Sequence, residues 1–151
     1  MLTLVLHTIV STMIHKLLPS LSIYNPYVKK PFLMNKNEFA FFKVLEQIIG
    51  DSYYIVPQVV LSNIIEVKAE GFWKKPYRTK IDKKTVDFVL FGKAGYTPHL
   101  VIELDGNSHL ETKTIRRDEF VEDILHRSGI RIIRVKNANS YNLEEITELV
   151  K

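Results

Sequence analysis

The segment Leu100 to His109, with the sequence LVIELDGNSH, constrains this chain most, because it begins as a buried strand and ends in acids, glycine and histidine. Side chains of a strand alternate between its two faces. Glu103 and Asp105 therefore share one face, roughly 6.6 Å apart along the strand. A carboxylate that faces a protein core is costly unless it is paired, protonated or bound to a metal. The alternative to such a site is a sheet face open to water.

A third acid, Asp87, lies in the preceding apolar run, Thr85 to Phe91. The segment GKAGYT joins the two runs and predicts a β-hairpin. If the hairpin is symmetric about Gly95, Asp87 lies directly across from Glu103, with Cβ atoms about 5 Å apart. Asp87, Glu103 and Asp105 then converge, which is how sites for hard divalent cations are built. A single bulge would shift this pairing.

Composition narrows the kind of metal and the class of protein. The chain has 151 residues, 46% hydrophobic and 25% charged, which is typical of one globular domain. It has no cysteine, so disulfides and thiolate zinc sites are excluded. Oxygen and imidazole ligands remain, and they favour Mg²⁺ or Mn²⁺. The lack of cysteine fits a reducing cytoplasm, and the net charge of +4 is compatible with a nucleic-acid partner.

The N-terminal region, residues 1–24, differs from the rest of the chain. Leu2 to Leu18 have amphipathic helical spacing, which predicts a helix lying on the domain or on a membrane surface. His7, His15 and Lys16 interrupt the apolar run that a membrane span needs, and no positive charge precedes it as in a secretory signal. Residues 25–34, which contain prolines, are predicted to be a linker before a domain of residues 35–151.

The domain is predicted to begin with a capped helix and an edge strand. Asn35, with Glu38 three residues later, indicates a capping box, and Gly50 ends the helix. The apolar residues at helical spacing are Phe39, Phe42, Leu45, Ile48 and Ile49. Glu38 has two interpretations of equal weight, a cap contact or an acid at the inner edge of the buried face. Tyr53 to Val60 predicts a strand in which Pro57 indicates an edge position or a bulge.

A basic segment, Phe72 to Lys84, leads into the strand that carries Asp87. Its only acid is Asp82, and Trp73 and Tyr77 stand between its cations. Such a run is usually a solvated loop. Cations interleaved with aromatic rings are also what a surface that contacts nucleic-acid backbone and stacks on bases requires, and we favour that interpretation. The candidate nucleic-acid-binding residues of this segment are Lys74, Lys75, Arg78, Lys80 and Lys84.

The helix predicted over Thr112 to Ser128 carries the remaining candidates. Asp118 precedes the apolar Val121 by three residues, so it lies on the inner face at the start of the helix as a supporting residue. Arg116 and Arg117 flank it, where they could clamp a phosphate or neutralise Asp118. A strand, IRIIRV, and a last helix complete an α/β pattern.

The order of elements and four spaced motifs resemble the PD-(D/E)XK, or restriction-endonuclease-like, nucleases. The motifs KKTVDFVL, IELDGNSH, RRDEF and SGIRIIRV are more closely similar to an uncharacterised bacterial family of unknown function assigned to that superfamily, over about Asn35 to Val135. A more distant similarity is to very-short-patch repair endonucleases. The resemblance implies an α/β, restriction-endonuclease-like core, with a mixed central sheet of about four strands flanked by helices.

The same resemblance implies roles for the candidate residues. Asp87 and Glu103 would hold Mg²⁺ or Mn²⁺, Glu38 would be the acid carried by a helix, and His109 is a candidate proton-transfer group. Asp105 stands where the superfamily has a lysine that orients the attacking water, which places catalysis itself in question.

The sequence is compatible with three functions. The first is a metal-dependent phosphodiesterase acting on DNA, without a small-molecule cofactor. The second is a nucleic-acid-binding module of the same fold that has lost the chemistry, because Lys84, the nearest substitute for the missing lysine, falls on the opposite face of a regular strand from Asp87. The third is a peripheral membrane protein that uses residues 2–18. We expect the protein in the cytoplasm, with peripheral membrane association as the alternative.

Overall fold

Residues 2–17, 26–105 and 112–151 are described by a computed structural model, apart from the side chains of residues 112–118 and of several positions in the first helix. The chain divides into two units, Met1–Pro31 and Phe32–Lys151. The division falls inside the segment predicted as a linker.

The described residues of the first unit contain one helix, α1, over Leu2–Leu17, in agreement with the helix expected there. Its 16 residues, at about 1.5 Å each, span roughly 24 Å, less than the ~30 Å hydrocarbon core of a bilayer. Among the residues that the structure describes, no helix is long and apolar enough to cross a membrane. The exposed apolar side chains of α1 include Val5, Leu6, Ile9, Val10 and Met13.

Helix α2, Lys36–Ile49, opens the second unit with the predicted capping box. Asn35 Oδ1 accepts hydrogen bonds from two backbone N–H groups of the first turn, and Glu38 Oε2 accepts one from Asn35 N–H. The buried face of α2 consists of Phe41, Leu45 and Ile49. Phe39 was expected in this stripe and is 54% exposed instead. Two residues turn a helix by about 200°, so Phe39 and Phe41 cannot both face the sheet.

Four strands form one sheet in the order β1-β2-β3-β4. They are β1 Tyr53–Val60, β2 Thr85–Gly92, β3 Pro98–Asp105 and β4 Arg131–Lys136. The first three are antiparallel neighbours, and β4 runs parallel to β3. The sheet is therefore mixed, as expected. Strand β1 is at an edge, which is where a strand can accept Pro57.

Helix α4, Thr112–Arg127, connects β3 to the parallel strand β4. It ends as predicted at Gly129, which has φ +72°, a conformation that glycine adopts without steric cost. Gly129 N–H donates to His126 O, and Ile130 N–H donates to Leu125 O, so these two carbonyl groups of the last turn are satisfied before β4 begins. A final helix, α5, covers Leu143–Val150 and is capped by the Asn142 side chain.

The basic segment is a helix, not the solvated loop of the simplest expectation. Helix α3 covers Lys74–Asp82 and follows a short 3₁₀ turn, Gly71–Trp73. Ile81 is its buried residue, 2% exposed, and it anchors the helix to the sheet. A single apolar anchor gives weak periodicity, which is why the sequence did not identify this helix.

The helices cover both faces of the sheet, and each face has its own apolar core. On the α2/α5 face the fully or nearly buried residues are Phe41, Leu45, Ile49, Phe88, Leu90, Leu100, Ile102, Val135, Ile146 and Val150. On the α3/α4 face they are Val59, Leu61, Ile81, Val86, Val89, Phe91, Val101, Val121, Leu125 and Ile130. The second unit is thus an α/β domain with a four-stranded mixed sheet between two layers of helices.

Candidate functional site

The β2–β3 hairpin has the predicted register up to the position before Asp87 and Glu103. Phe88 pairs with Ile102 and Leu90 with Leu100, which is the predicted symmetry about Gly95. A bulge is present, but it lies between Leu90 and Phe91, toward the turn and away from the carboxylates.

The Asp87 carboxylate is directed at the backbone of β3. Its Oδ2 atom accepts a hydrogen bond from Leu104 N–H, with an N···O distance of 2.8 Å. Leu104 is the residue between Glu103 and Asp105. The side chain thus satisfies a partly buried backbone N–H group, that of the residue between the two other acids of β3.

A local distortion of the sheet explains this geometry. Val86 packs on the α3/α4 face and Phe88 on the α2/α5 face, although residues two apart in a regular strand share a face. The same change occurs in β1 around Gln58, which has φ +54° and lies across from Asp87 in the register. A non-glycine residue in this conformation costs roughly 1–3 kcal/mol. The backbone is therefore strained at Gln58, opposite the position where Asp87 departs from the regular pleat of β2.

Glu103 and Asp105 lie on the α3/α4 face, where they meet a cation from the neighbouring strand. Arg134 of β4 is in register with Glu103. Its Nη1 atom lies 3.2 Å from Asp105 Oδ1, and its Nε atom lies 3.1 Å from Glu122 Oε1 on α4. The side chains of Arg134 and Asp105 are 25% and 31% exposed, so this pair is only partly screened by water. Arg134 joins the end of β3 to α4.

Sequence reasoning did not select Arg134 as a site residue. The signal was present, because Arg134 interrupts the apolar run IRIIRV two residues after Ile132, which packs on the α3/α4 face. A charge at a core-facing position of a buried strand calls for a partner. Arg131, the other charge in that run, instead donates to the carbonyl of Leu149 on α5.

Glu38 takes the first of its two interpretations, the cap contact with Asn35. The first turn of α2 nevertheless lies at the same end of the sheet as the acids. Asn37 lines an almost wholly polar cleft of about 350 Å³ together with Asn137, Ala138 and Asn139. Asn137 N–H donates to Asp105 O at 3.0 Å. The cleft is therefore adjacent to the carboxyl end of β3.

Four predicted site residues lack described side chains. His109 is in residues 106–111, outside the described part of the chain. Arg116, Arg117 and Asp118 lie in the first turns of α4, which follows that segment, and nothing further is described of their side chains.

The structure separates the predicted nucleic-acid-binding residues into two groups. Lys74, Lys75, Arg78 and Lys80 are exposed on α3. Lys84 is half-buried before β2, and its carbonyl accepts a hydrogen bond from Leu61 N–H.

One of the cations on α3 is paired along the helix. Arg78 Nε lies 2.9 Å from Asp82 Oδ1. The pKa of Asp82 is lowered from its ordinary value, first by a hydrogen bond with Ser62 and then by Arg78, while desolvation acts in the opposite direction.

The donor set fits a hard divalent cation in part. Asp87 and Glu103 offer carboxylate oxygens at the same end of the β2–β3 hairpin, the ligand type that Mg²⁺ prefers, and Mg²⁺ keeps several waters. Asp105 pairs with Arg134. Within the described ranges, no three acidic or histidine side chains are grouped as metal ligands.

Residues 30–151 match a family described as "Protein of unknown function (DUF2726)". An "Uncharacterized protein" of Haemophilus influenzae is 28% identical over 128 residues, which cover 82% of this chain and 64% of that protein. The chain thus spans just under two thirds of that relative's length. No solved structure matches.

Proposed function

The chain belongs to the DUF2726 family of proteins of unknown function, and we propose from the geometry of its acids that it is a metal-dependent nuclease acting on DNA. The observation that carries the proposal is the contact of Asp87 Oδ2 with Leu104 N–H, which holds one acid beside the Glu103–Asp105 pair. This arrangement gives two oxygen ligands at the end of a hairpin and a distorted, strained sheet around them. Strained backbone concentrates at functional sites.

The topology supports a restriction-endonuclease-like fold. A helix, an antiparallel three-stranded meander, a crossover helix and a parallel fourth strand follow one another along the chain. This is the order that the resemblance in sequence motifs implies. The acids occupy the hairpin of that core, and the basic helix α3 immediately precedes it.

Asp87 and Glu103 are the residues that would hold Mg²⁺ or Mn²⁺. When bound, the metal ion polarises the scissile phosphate and lowers the pKa of its bound water. Arg134 provides fixed positive charge beside Asp105, which stands where the superfamily that the motifs resemble has a lysine. Its guanidinium can stabilise negative charge that develops on the phosphate, while Glu122 fixes its orientation. His109 stays a candidate for proton transfer to the leaving oxygen.

Cleavage of supercoiled plasmid DNA with Mg²⁺ or Mn²⁺ tests the proposal. We expect wild type to nick the plasmid and Asp87→Asn to lose the activity, because the amide keeps the hydrogen bond to Leu104 N–H but removes the ligand charge. Asp51→Asn, at an exposed acid in the turn after α2, is the matched control and keeps wild-type activity. Equal nicking by wild type and Asp87→Asn would reject the proposal, as would a wild type that cleaves neither the plasmid nor DNA with single-stranded segments.

The Asp105–Arg134 ion pair favours a second candidate, a nucleic-acid-binding module without catalysis. Arg134 compensates one of the charges that a metal would otherwise neutralise. Such a module binds DNA without metal, and its affinity falls steeply with salt because phosphate contacts release counterions. Neutralising Lys74, Lys75 and Arg78 together would weaken binding and flatten the salt slope by about 2–3 units for duplex DNA. An unchanged slope assigns these residues to solubility alone.

A further inference from the structure

Helix α3 and the 3₁₀ turn before it present aromatic rings and ammonium groups to solvent. This surface, Gly71–Asp82, is called the basic platform below. Phe72, Trp73 and Tyr77 are 82%, 62% and 49% exposed. Phe72 and Trp73 contact each other edge to face, with ring centroids 5.5 Å apart. Three exposed aromatic rings within six residues form an apolar patch on the surface. Exposed apolar patches of this kind mark binding sites.

A cleft adjoins the rings. It has a volume of about 600 Å³ and is lined by Gly71, Phe72, Lys75, Pro76 and Thr79. Phe72 and Pro76 form apolar walls, while Lys75 and Thr79 provide a cation and a hydroxyl group. Apolar walls with a few polar groups are typical of sites for planar organic rings. Gly71, which also lines the cleft, has φ +57°, a conformation that glycine adopts without steric cost.

The charges of the platform specify an anionic partner. Lys74, Lys75 and Lys80 are exposed, and Arg78 is the cation that pairs with Asp82. Lys80 Nζ lies 5.4 Å from the centroid of the Tyr77 ring, so a cation and an aromatic face are held together. Nucleic acid has the complementary features, because every nucleotide combines a phosphate with a π-face.

The platform is less suited to the two competing partners. A helix that lies on a bilayer inserts an apolar face that runs along it. The aliphatic residue of α3, Ile81, is buried in the domain, and the exposed Phe72 and Trp73 belong to the 3₁₀ turn before the helix. In a duplex the base faces are already stacked on one another and are not available to side-chain rings. Unpaired bases are available, and aromatic side chains recognise them by stacking.

The platform also lies close to the candidate nuclease site. Asp82 ends α3 five residues before Asp87, and five residues span at most about 18 Å. Lys84 lies between Asp82 and Asp87 in the sequence.

We propose that the basic platform binds an unpaired stretch of nucleic acid. One base stacks on Phe72 and Trp73 or enters the cleft, and Lys74 and Lys75 contact the phosphates. The inference rests on the proposed nuclease function and names its substrate class, DNA with a single-stranded segment such as a flap, gap or overhang.

Binding of a short oligothymidylate and of a hairpin duplex of equal charge, measured with the full chain in EDTA, tests the inference. Trp73 is the only tryptophan of the chain, so its fluorescence reports directly on the platform. We expect saturable quenching by the oligothymidylate and little change with the duplex. Fluorescence anisotropy of labelled strands gives the two affinities.

Phe72→Ala and Trp73→Ala are each expected to weaken oligothymidylate binding roughly tenfold, since stacking is worth ~1–3 kcal/mol per base. Neither change alters duplex binding, because neither removes a charge. Phe32→Ala, at another ring that is 79% exposed, is the matched control and keeps the preference for single strands. Far-ultraviolet circular dichroism verifies that each variant is folded.

If wild type binds the oligothymidylate and the hairpin duplex with equal affinity, the inference is overturned whatever the variants show. A Trp73 emission shift with phosphatidylserine vesicles, and none with oligothymidylate, would overturn it in favour of a membrane surface. The nuclease proposal is judged separately by cleavage. Single-strand binding without cleavage sustains the inference and rejects the nuclease, and cleavage without single-strand preference does the reverse.

Discussion

The two faces of the sheet differ in how far their apolar cores extend. On the α2/α5 face, apolar contacts continue along the hairpin to its open end, where Ile102 is buried and Leu104 packs against the cluster. On the α3/α4 face the core ends at Val101, and Glu103 and Asp105 occupy the next two positions of that face. Because side chains alternate along β3, a single strand provides a stabilising face and a polar face at the same end.

This difference separates stability from chemistry. Acids at the end of the α3/α4 face can approach water and a metal ion without opening the core on the other side. The hydrogen bond from Leu104 N–H to Asp87 contributes to both stability and the candidate site, because it joins the two strands of the hairpin and positions a carboxylate.

The largest expected effect is on the apolar face. Phe88 is fully buried, and the centroid of its ring lies 5.9 Å from the centroid of the Phe41 ring. Phe88→Ala should lower the free energy of unfolding by about 3–5 kcal/mol, through lost burial and the cavity left behind. Urea denaturation measures it. A loss below about 1 kcal/mol would mean that this face is not the stabilising one.

The next effect concerns metal binding at the polar face. Mg²⁺ or Mn²⁺ at 100 times its dissociation constant should stabilise wild type by about 2.7 kcal/mol. Asp87→Asn should abolish this response and raise the melting temperature of the metal-free protein, since it removes repulsion from Glu103 and keeps an acceptor for Leu104 N–H.

Asp87→Ala is the matched comparison for that experiment. It removes the acceptor as well, so we expect a loss of roughly 1–3 kcal/mol without metal. If wild type does not respond to metal and Asp87→Asn destabilises it, Asp87 is a structural residue and the two faces do not differ in function.

A smaller effect is expected at Arg134. Arg134→Met should cost about 1 kcal/mol, because its pairs with Asp105 and Glu122 are partly exposed. It should also tighten Mg²⁺ binding several-fold, since it removes a positive charge that would repel the cation. Isothermal titration calorimetry measures the affinity. Arg127→Met breaks the exposed Arg127–Asp123 pair and should leave it unchanged.

The smallest effect is a pH dependence at Asp82, on the helix that carries the platform. Its pKa is lowered in the folded protein, first by the hydrogen bond with Ser62. A lowered folded pKa adds stability above the unfolded pKa, and that stability is lost as the pH falls through the folded value. The melting-temperature difference between wild type and Asp82→Asn should therefore be present at neutral pH, decrease as the pH falls below 3.8, the ordinary pKa, and vanish below the lowered pKa of the folded protein. A difference that persists in acid would indicate packing instead of charge.

Local signals in the sequence were accurate where the structure depends on local physics. The capping box of Asn35 and Glu38, the helix end at Gly129 and the hairpin register about Gly95 depend on residues close together in the chain. The stripe on α2 was partly wrong, because Phe39 and Phe41 are equally apolar and only the position of the sheet selects Phe41.

The sequence by itself determined the α/β order of elements and the placement of Asp87, Glu103 and Asp105 at one end of the hairpin, because alternation and turn symmetry are properties of the local backbone. The tertiary structure decided which charges meet. Arg134 reaches Asp105 across 29 positions of sequence, because β4 lies parallel to β3. Asp87 reaches the backbone of Leu104 because both strands are distorted at Gln58 and Asp87. Contacts of this kind depend on packing between distant segments, which no local pattern encodes.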